Sequence, residues 1–192
     1  LLVDLPGAHW CPVSIDLERW SAPARTPRAP GRPLRVVHAP SVAAYKGTAL
    51  VTPTLEKRVA AGRIEFRLIQ GVPSAEMPAV FADADVMLDQ FRAGSYGVAA
   101  CEAMAAGCLA IGQVSNQVRN LVAHETGREL PVIEATPDTL EAVLRTLAAS
   151  NDLSADSERG RAFVREVHDG RRAADVLLTH WIRRATDEKE TS

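Results

Sequence analysis

The chain has 192 residues, 46% of them hydrophobic and 24% charged, with a formal net charge of -2. That is room for one well-cored globular domain with appendages. The charge balance gives no basic excess for nucleic acid or an acidic membrane, and no apolar run approaches the ~20 residues of a membrane-spanning helix.

The opening run, Leu1-Leu2-Val3-Asp4-Leu5-Pro6, has neither an initiator methionine nor a basic stretch before an apolar core. It reads as the middle of a longer protein rather than as a signal peptide. Cys11, Cys101 and Cys108 lack metal-ligand spacing; the latter two read as small buried thiols, and a reducing cytoplasm fits all three. Pro23, Pro27, Pro30 and Pro33 mark a stiff, exposed linker without regular structure.

From residue 34 onward, strand-like and helix-like stretches alternate. Residues 34–39 read as a strand broken at Pro40, and 49–61 as a helix closed by Gly62. Residues 64–70 form a second strand. Ser74 is expected to cap a helix that turns Met77, Val80 and Phe81 inward. Strands at 86–90 and 109–114 flank a helix containing Glu102, and a short helix over 116–124 precedes a last strand at 131–134. Thr136 as N-cap and Pro137 as the first helical residue should start a helix running to Ala149. Helices near 154–168 and 171–185 follow, then a polar tail from Thr186. This alternation, with short Gly/Pro connections, predicts an α/β fold: a Rossmann-like, doubly wound parallel sheet of about five strands.

The densest chemistry lies between two of those strands, in Gly94-Ser95-Tyr96-Gly97 and the helix after it. Glycines let a backbone approach a ligand closely, and the unpaired N–H groups of a first helical turn can hold a phosphate. A glycine here can equally have a purely steric use. Glu102 lies roughly 7–9 Å along the helix axis at ~1.5 Å per residue, its side chain leaning back toward the N-terminus. A carboxylate near an anion seat suits the ribose hydroxyls of a nucleotide.

Lys46, His38 and Ser41 follow the first strand, at the carboxyl edge where open α/β sheets bind ligands. A lysine before a helix is often just solvated. His38 also reads as a satisfied structural residue, and Ser41 as a turn former or a hydrogen-bond partner of a phosphate. Asp85 and Asp89 share a strand face but stand ~13 Å apart at ~3.3 Å per residue. They cannot share one ion, and Asp85 reads as a capping or pairing residue. His168-Asp169-Gly170 reads as a packed joint between helices, and Arg171-Arg172 and Arg183-Arg184 as solvated faces.

The run Asp85-Val86-Met87-Leu88-Asp89-Gln90, then Gly94-Ser95-Tyr96-Gly97, then Cys101-Glu102-Ala103-Met104-Ala105-Ala106-Gly107 resembles the donor-site signature of family 4 glycosyltransferases of GT-B fold. His9 to Asp16 resembles the passage where such enzymes enter their C-terminal domain, and Lys46-Gly47 resembles a lysine–glycine pair that meets the donor diphosphate.

The resemblance implies the C-terminal half of a GT-B fold, with the N-terminal acceptor domain absent from this chain. Residues 1–33 would be the interdomain strand and linker, 34–150 the nucleotide-sugar domain, and 151–192 the C-terminal helices and tail. The implied reaction moves a sugar from a nucleoside-diphosphate sugar to an acceptor, retaining configuration, with neither metal nor cofactor. Lys46 would act in catalysis. Gly94, Ser95, Tyr96, Gly97, Glu102, Ser41 and His38 would bind the donor.

Two departures stand out: Gly94 replaces the family's first glutamate, and the loop 41–45 lacks an arginine found in members. A degenerate, non-catalytic nucleotide-binding module and a GT-B-fold sugar-nucleotide epimerase are the alternatives. A flavodoxin-like signalling domain would need acidic residues where this chain has His38-Ala39-Pro40-Ser41.

Overall fold

Short β-rich runs, each followed by a helix, can bury both of their faces only if helices cover the sheet on each side. The computed structural model describes residues 8–182. Strands β1 (Leu34–His38), β2 (Ile64–Leu68), β3 (Val86–Leu88), β4 (Leu109–Gly112) and β5 (Ile133–Glu134) form one parallel sheet in the order β2-β1-β3-β4-β5. The helices are α1 (Ala43–Lys46), α2 (Thr48–Ala60), α3 (Met77–Asp83), α4 (Val98–Ala105), α5 (Asn116–Thr126), α6 (Leu140–Ala149), α7 (Ser154–Val167) and α8 (Arg171–Leu177). Among the described residues, no helix is long and apolar enough to cross a membrane.

The strands alternate their side chains between two cores. Val36, Val86, Leu88, Leu109 and Ile111 pack with Val51 and Leu55 of α2 and Leu140 and Leu144 of α6. Val37, Met87 and Ala110 face the other way, toward Phe81 of α3, the Ala100–Met104 face of α4, and Phe163 and Val164 of α7. Each fully buried Leu or Phe contributes about 1.5–3 kcal/mol, so the two cores carry the sheet. Gly160 of α7 makes room for Met104 of α4, since a Cβ added there would stand 3.2 Å from Met104 Cγ.

The strand order places β1 between β2 and β3. The chain steps outward from β1 to β2, then crosses back to start β3 on β1's other side. That reversal opens a crevice beyond the carboxyl ends of β1 and β3, the switch point at which open α/β sheets bind ligands.

Three local expectations need correction. Ser74 does not cap α3, whose N-cap is Glu76; the Ser74 hydroxyl instead accepts a bond from Arg19 Nη2 at 2.7 Å. α6 begins at Leu140 rather than at Pro137; the Thr136 hydroxyl still accepts the Thr139 N–H at 3.3 Å and its carbonyl the Leu140 N–H at 3.0 Å, so Thr136 closes the turn that leads into the helix. The last helix ends at Leu177 and continues as a π-helical turn over Leu178–Ile182. Its expected extension to 185, Arg183-Arg184, the polar tail and the opening residues 1–7 lie outside the described residues.

The proline-rich segment has no helix or strand, yet it is fastened down at the amino ends of the strands. Asp85, 2% exposed, pairs with Arg25 at 2.7 Å and Arg32 at 2.8 Å, and accepts the Arg35 N–H at 2.8 Å. Arg28 donates to the Ala148 and Ser150 carbonyls at the end of α6. Further upstream, Ile15 N–H donates to His168 O at 2.7 Å, and Trp20 stacks on Phe81.

Candidate functional site

The site grows out of the loops that follow β1 and β3. After β1, Val42 to Lys46 form one turn, α1, which Gly47 closes in the left-handed region (φ 76°). After β3, the loop returns to that turn: Phe91 N–H donates to the Lys46 carbonyl at 3.0 Å. The two switch-point loops are thereby tied together. Lys46 Nζ lies 2.5 Å from Asp89 Oδ1, with the two side chains 12% and 2% exposed. The other oxygen of Asp89 accepts the Gly97 N–H, at the start of α4, at 2.8 Å.

Gly97 has ordinary extended backbone (φ -111°, ψ 177°), so its value is spatial. A Cβ there would stand 3.1 Å from Lys46 Nζ and 3.5 Å from Asp89 Oδ1. Gly94 is different: its φ of +64° is left-handed, and its neighbour Ser115 would leave ordinary room for a Cβ at 3.6 Å. A glutamate at this position would meet a backbone penalty of ~1–2 kcal/mol rather than a steric wall. The departure at Gly94 is therefore built into the path of the loop.

A cleft of about 620 Å³ opens between Gly94-Ser95-Tyr96-Gly97-Val98, the start of α5 at Ser115, Gln117 and Val118, and the segment carrying Trp10, Cys11 and Val13. Gln90 Nε2 donates to the Ser95 carbonyl and holds the loop. Tyr96 packs edge-on against Phe163 and His168, and its hydroxyl lies 3.3 Å from His168 Nε2. Burial pushes the Tyr96 phenol well above its ordinary range.

The expected site residues thus divide. Gly94, Ser95, Tyr96 and Gly97 line the cleft, and Lys46 adjoins it against Gly97. Glu102 stands apart from that lining, half-buried on α4 and within the field of Arg19; its carboxyl is pushed up by burial, with Arg19 opposing. Ser41 is exposed in a bend.

His38 is corrected. It is fully buried, its Nδ1–H donates to Leu88 O at 2.8 Å, and its Nε2 accepts from the Thr48 hydroxyl at 2.9 Å. With both nitrogens used, and burial holding the ring below its ordinary pKa, it braces β1 against β3 and presents nothing to a ligand. Cys101 and Cys108 are buried, their thiols pushed up by desolvation. Among the described residues, no group of three or more His, Cys, Asp or Glu gathers as for a metal ion.

One functional candidate escaped the sequence, and a second was read there only as part of a motif and not as a site residue. Arg92, in the loop after β3, donates to the Ala44 carbonyl at 3.3 Å. It places a second cation beside α1 and has no carboxylate partner among the described residues. Its position just past Asp89-Gln90, beyond a strand's carboxyl end, was the available signal. The other is Asp89, whose two contacts join segments far apart in sequence.

Solved structures share this architecture. WaaG, a glycosyltransferase involved in lipopolysaccharide biosynthesis, superposes with a TM-score of 0.57 at 16% identity, over 88% of this chain and 55% of its own. The Anabaena protein Alr3699/HepE in complex with UDP-glucose gives 0.58 at 12% identity, over 86% and 55%. AviGT4, a glycosyltransferase involved in avilamycin A biosynthesis, gives 0.50 at 16%, over 91% and 58%. The chain has the fold of the GT-B glycosyltransferases. It spans little more than half the length of these neighbours. No family model and no curated protein matches the sequence.

Proposed function

We propose that this chain is the donor-binding half of a retaining, family 4-type glycosyltransferase, holding a nucleoside-diphosphate sugar at the crevice between β1 and β3. The observation that carries the reading is the meeting of Lys46, the Gly94–Gly97 turn and the start of α4 at the topological switch point. Amides of the first turn of α4 and the Lys46 ammonium would hold the diphosphate, with Arg92 adding charge as the nucleoside diphosphate departs. That counter-charge is what allows transfer to be proposed without a metal. Glu102 would take the ribose hydroxyls. The solved HepE complex with UDP supports the ligand class. Transfer would take place against an acceptor domain that completes the cleft, so this half is expected to bind the donor without turning it over.

The test is calorimetric titration of the chain with UDP, GDP and ADP without added metal, comparing native protein with Lys46→Ala and Glu102→Ala. One diphosphate should saturate the native site, and each substitution should weaken it about tenfold or more. No binding to a folded native chain would overturn the reading of this half as an autonomous donor domain.

A further inference from the structure

The geometry points to Asp89 as the positioning residue of the diphosphate seat. This inference rests on the proposed function. One carboxylate, 3% exposed as a residue, reaches Lys46 Nζ with one oxygen at 2.5 Å and the Gly97 N–H with the other at 2.8 Å. Lys46 comes from the loop after β1, and Gly97 starts the helix after β3. Asp89 stands at the end of β3, between them, and its own N–H is bonded to Ile111 O of β4 at 2.8 Å. The carboxylate is thus held by the sheet, and it holds both of the groups expected to face a phosphate.

A lysine is a flexible four-carbon stem with three N–H donors and no preferred direction. Tethering one N–H to Asp89 fixes the ammonium against Gly97, where it stands 3.1 Å from the place a Cβ would occupy, and leaves two donors for a ligand. The Gly97 bond takes the outermost amide at the start of α4 and the Ala100 N–H is bonded to Gly97 O at 3.1 Å, so the Val98 and Ala99 N–H groups remain for the ligand. An anionic residue in an anion site costs some attraction, but it removes the larger cost of ordering a loose lysine and a glycine turn at the moment of binding.

The test compares native chain with Asp89→Asn and Asp89→Glu. Asparagine keeps the shape but sheds the charge, while glutamate keeps the charge but cannot meet both partners from the same backbone position. Folding is checked by circular dichroism, and each protein is titrated with UDP, GDP and ADP and with the parent nucleosides. Both variants should lose about tenfold or more in diphosphate affinity while nucleoside affinity stays unchanged, and Asp89→Asn in a Lys46→Met background should cost little more. Tighter diphosphate binding by Asp89→Asn would overturn the inference, because the carboxylate would then be a resident competitor. Equal losses for diphosphate and nucleoside would also overturn it, as a merely structural role. Should Asp89→Asn fail to fold, the glutamate variant carries the comparison. Should the native chain bind no diphosphate, the proposed function fails, and Asp89 is judged on the free protein. There, Asp89→Glu must shift the Gly97 amide and Lys46 ammonium resonances together, and movement of only one would refute the positioning role.

Discussion

Glu102 is a residue placed at some cost to the fold. Burial on α4 raises its carboxyl pKa, and Arg19 recovers part of the charge. A carboxyl raised in the folded state contributes most to stability below its unfolded pKa of about 4.3. That contribution is lost as pH rises through the raised value, so the ionised group is a net liability at neutral pH. Glu102→Gln should therefore raise Tm at pH 7 by a small amount, on the order of 1–3 °C. The same substitution should weaken nucleoside diphosphate binding about tenfold, since ribose hydroxyls lose a charged acceptor. Thermal melts with and without ligand check both signs at once. A residue kept only for packing would move stability and binding down together.

Two buried histidines act at the level of elements. His38 joins β1 to β3, while His168, at the end of α7, donates from Nδ1 to Val13 O at 2.9 Å and accepts from Tyr96 at Nε2. Burial lowers both pKa values. The unfolded rings take up protons near pH 6.5, and the folded ones resist until lower pH. Stability from these contacts is complete above that pH and lost as pH falls below it through the depressed values. Melting temperature should be level above about pH 7 and fall on acidification. His168→Asn, which keeps a donor near Nδ1, should lower Tm at pH 8 but flatten the acid limb. The sequence carried the structural reading of both residues, His38 as a satisfied side chain and His168 as part of a packed joint between helices, but not their partners. Strand–helix alternation and the Gly94–Gly97 turn are local patterns, and they predicted the parallel sheet and the position of the cleft-lining loop. Whether His38 faces a ligand or another strand depends on a partner fifty residues away, at Leu88, which no local pattern carries. At Thr136 only the boundary of α6 was missed: the hydroxyl accepts the Thr139 N–H as expected of a capping residue, but the regular helix starts at Leu140.

At the scale of the whole molecule the sheet separates two tasks. Its carboxyl edge gathers Lys46, Asp89 and the Gly94–Gly97 turn, and its amino edge gathers Asp85 with Arg25, Arg32 and the Arg35 amide. Asp85 and Asp89 flank β3 at opposite ends, Asp85 paired with Arg25 and Arg32 and Asp89 with Lys46. The amino-edge cluster secures a proline-rich segment that would otherwise trail in solvent. Arg25 also donates to the Gly107 and Ala84 carbonyls, and Arg161 to those of Ala22 and Pro23. Removing one partner from a buried charge cluster leaves the others without their counter-charge and typically costs about 3–5 kcal/mol. Asp85→Ala should then lower Tm by on the order of 10 °C and expose residues 23–33 to proteolysis. Below that lower melting point, nucleoside diphosphate affinity should equal that of the native chain, because no contact of Asp85 reaches the switch-point crevice. Limited proteolysis paired with calorimetry measures both. Loss of nucleotide affinity in a still-folded Asp85→Ala protein would mean that the fastened segment shapes the cleft through Trp10 to Val13, and that the two edges of the sheet are coupled rather than independent.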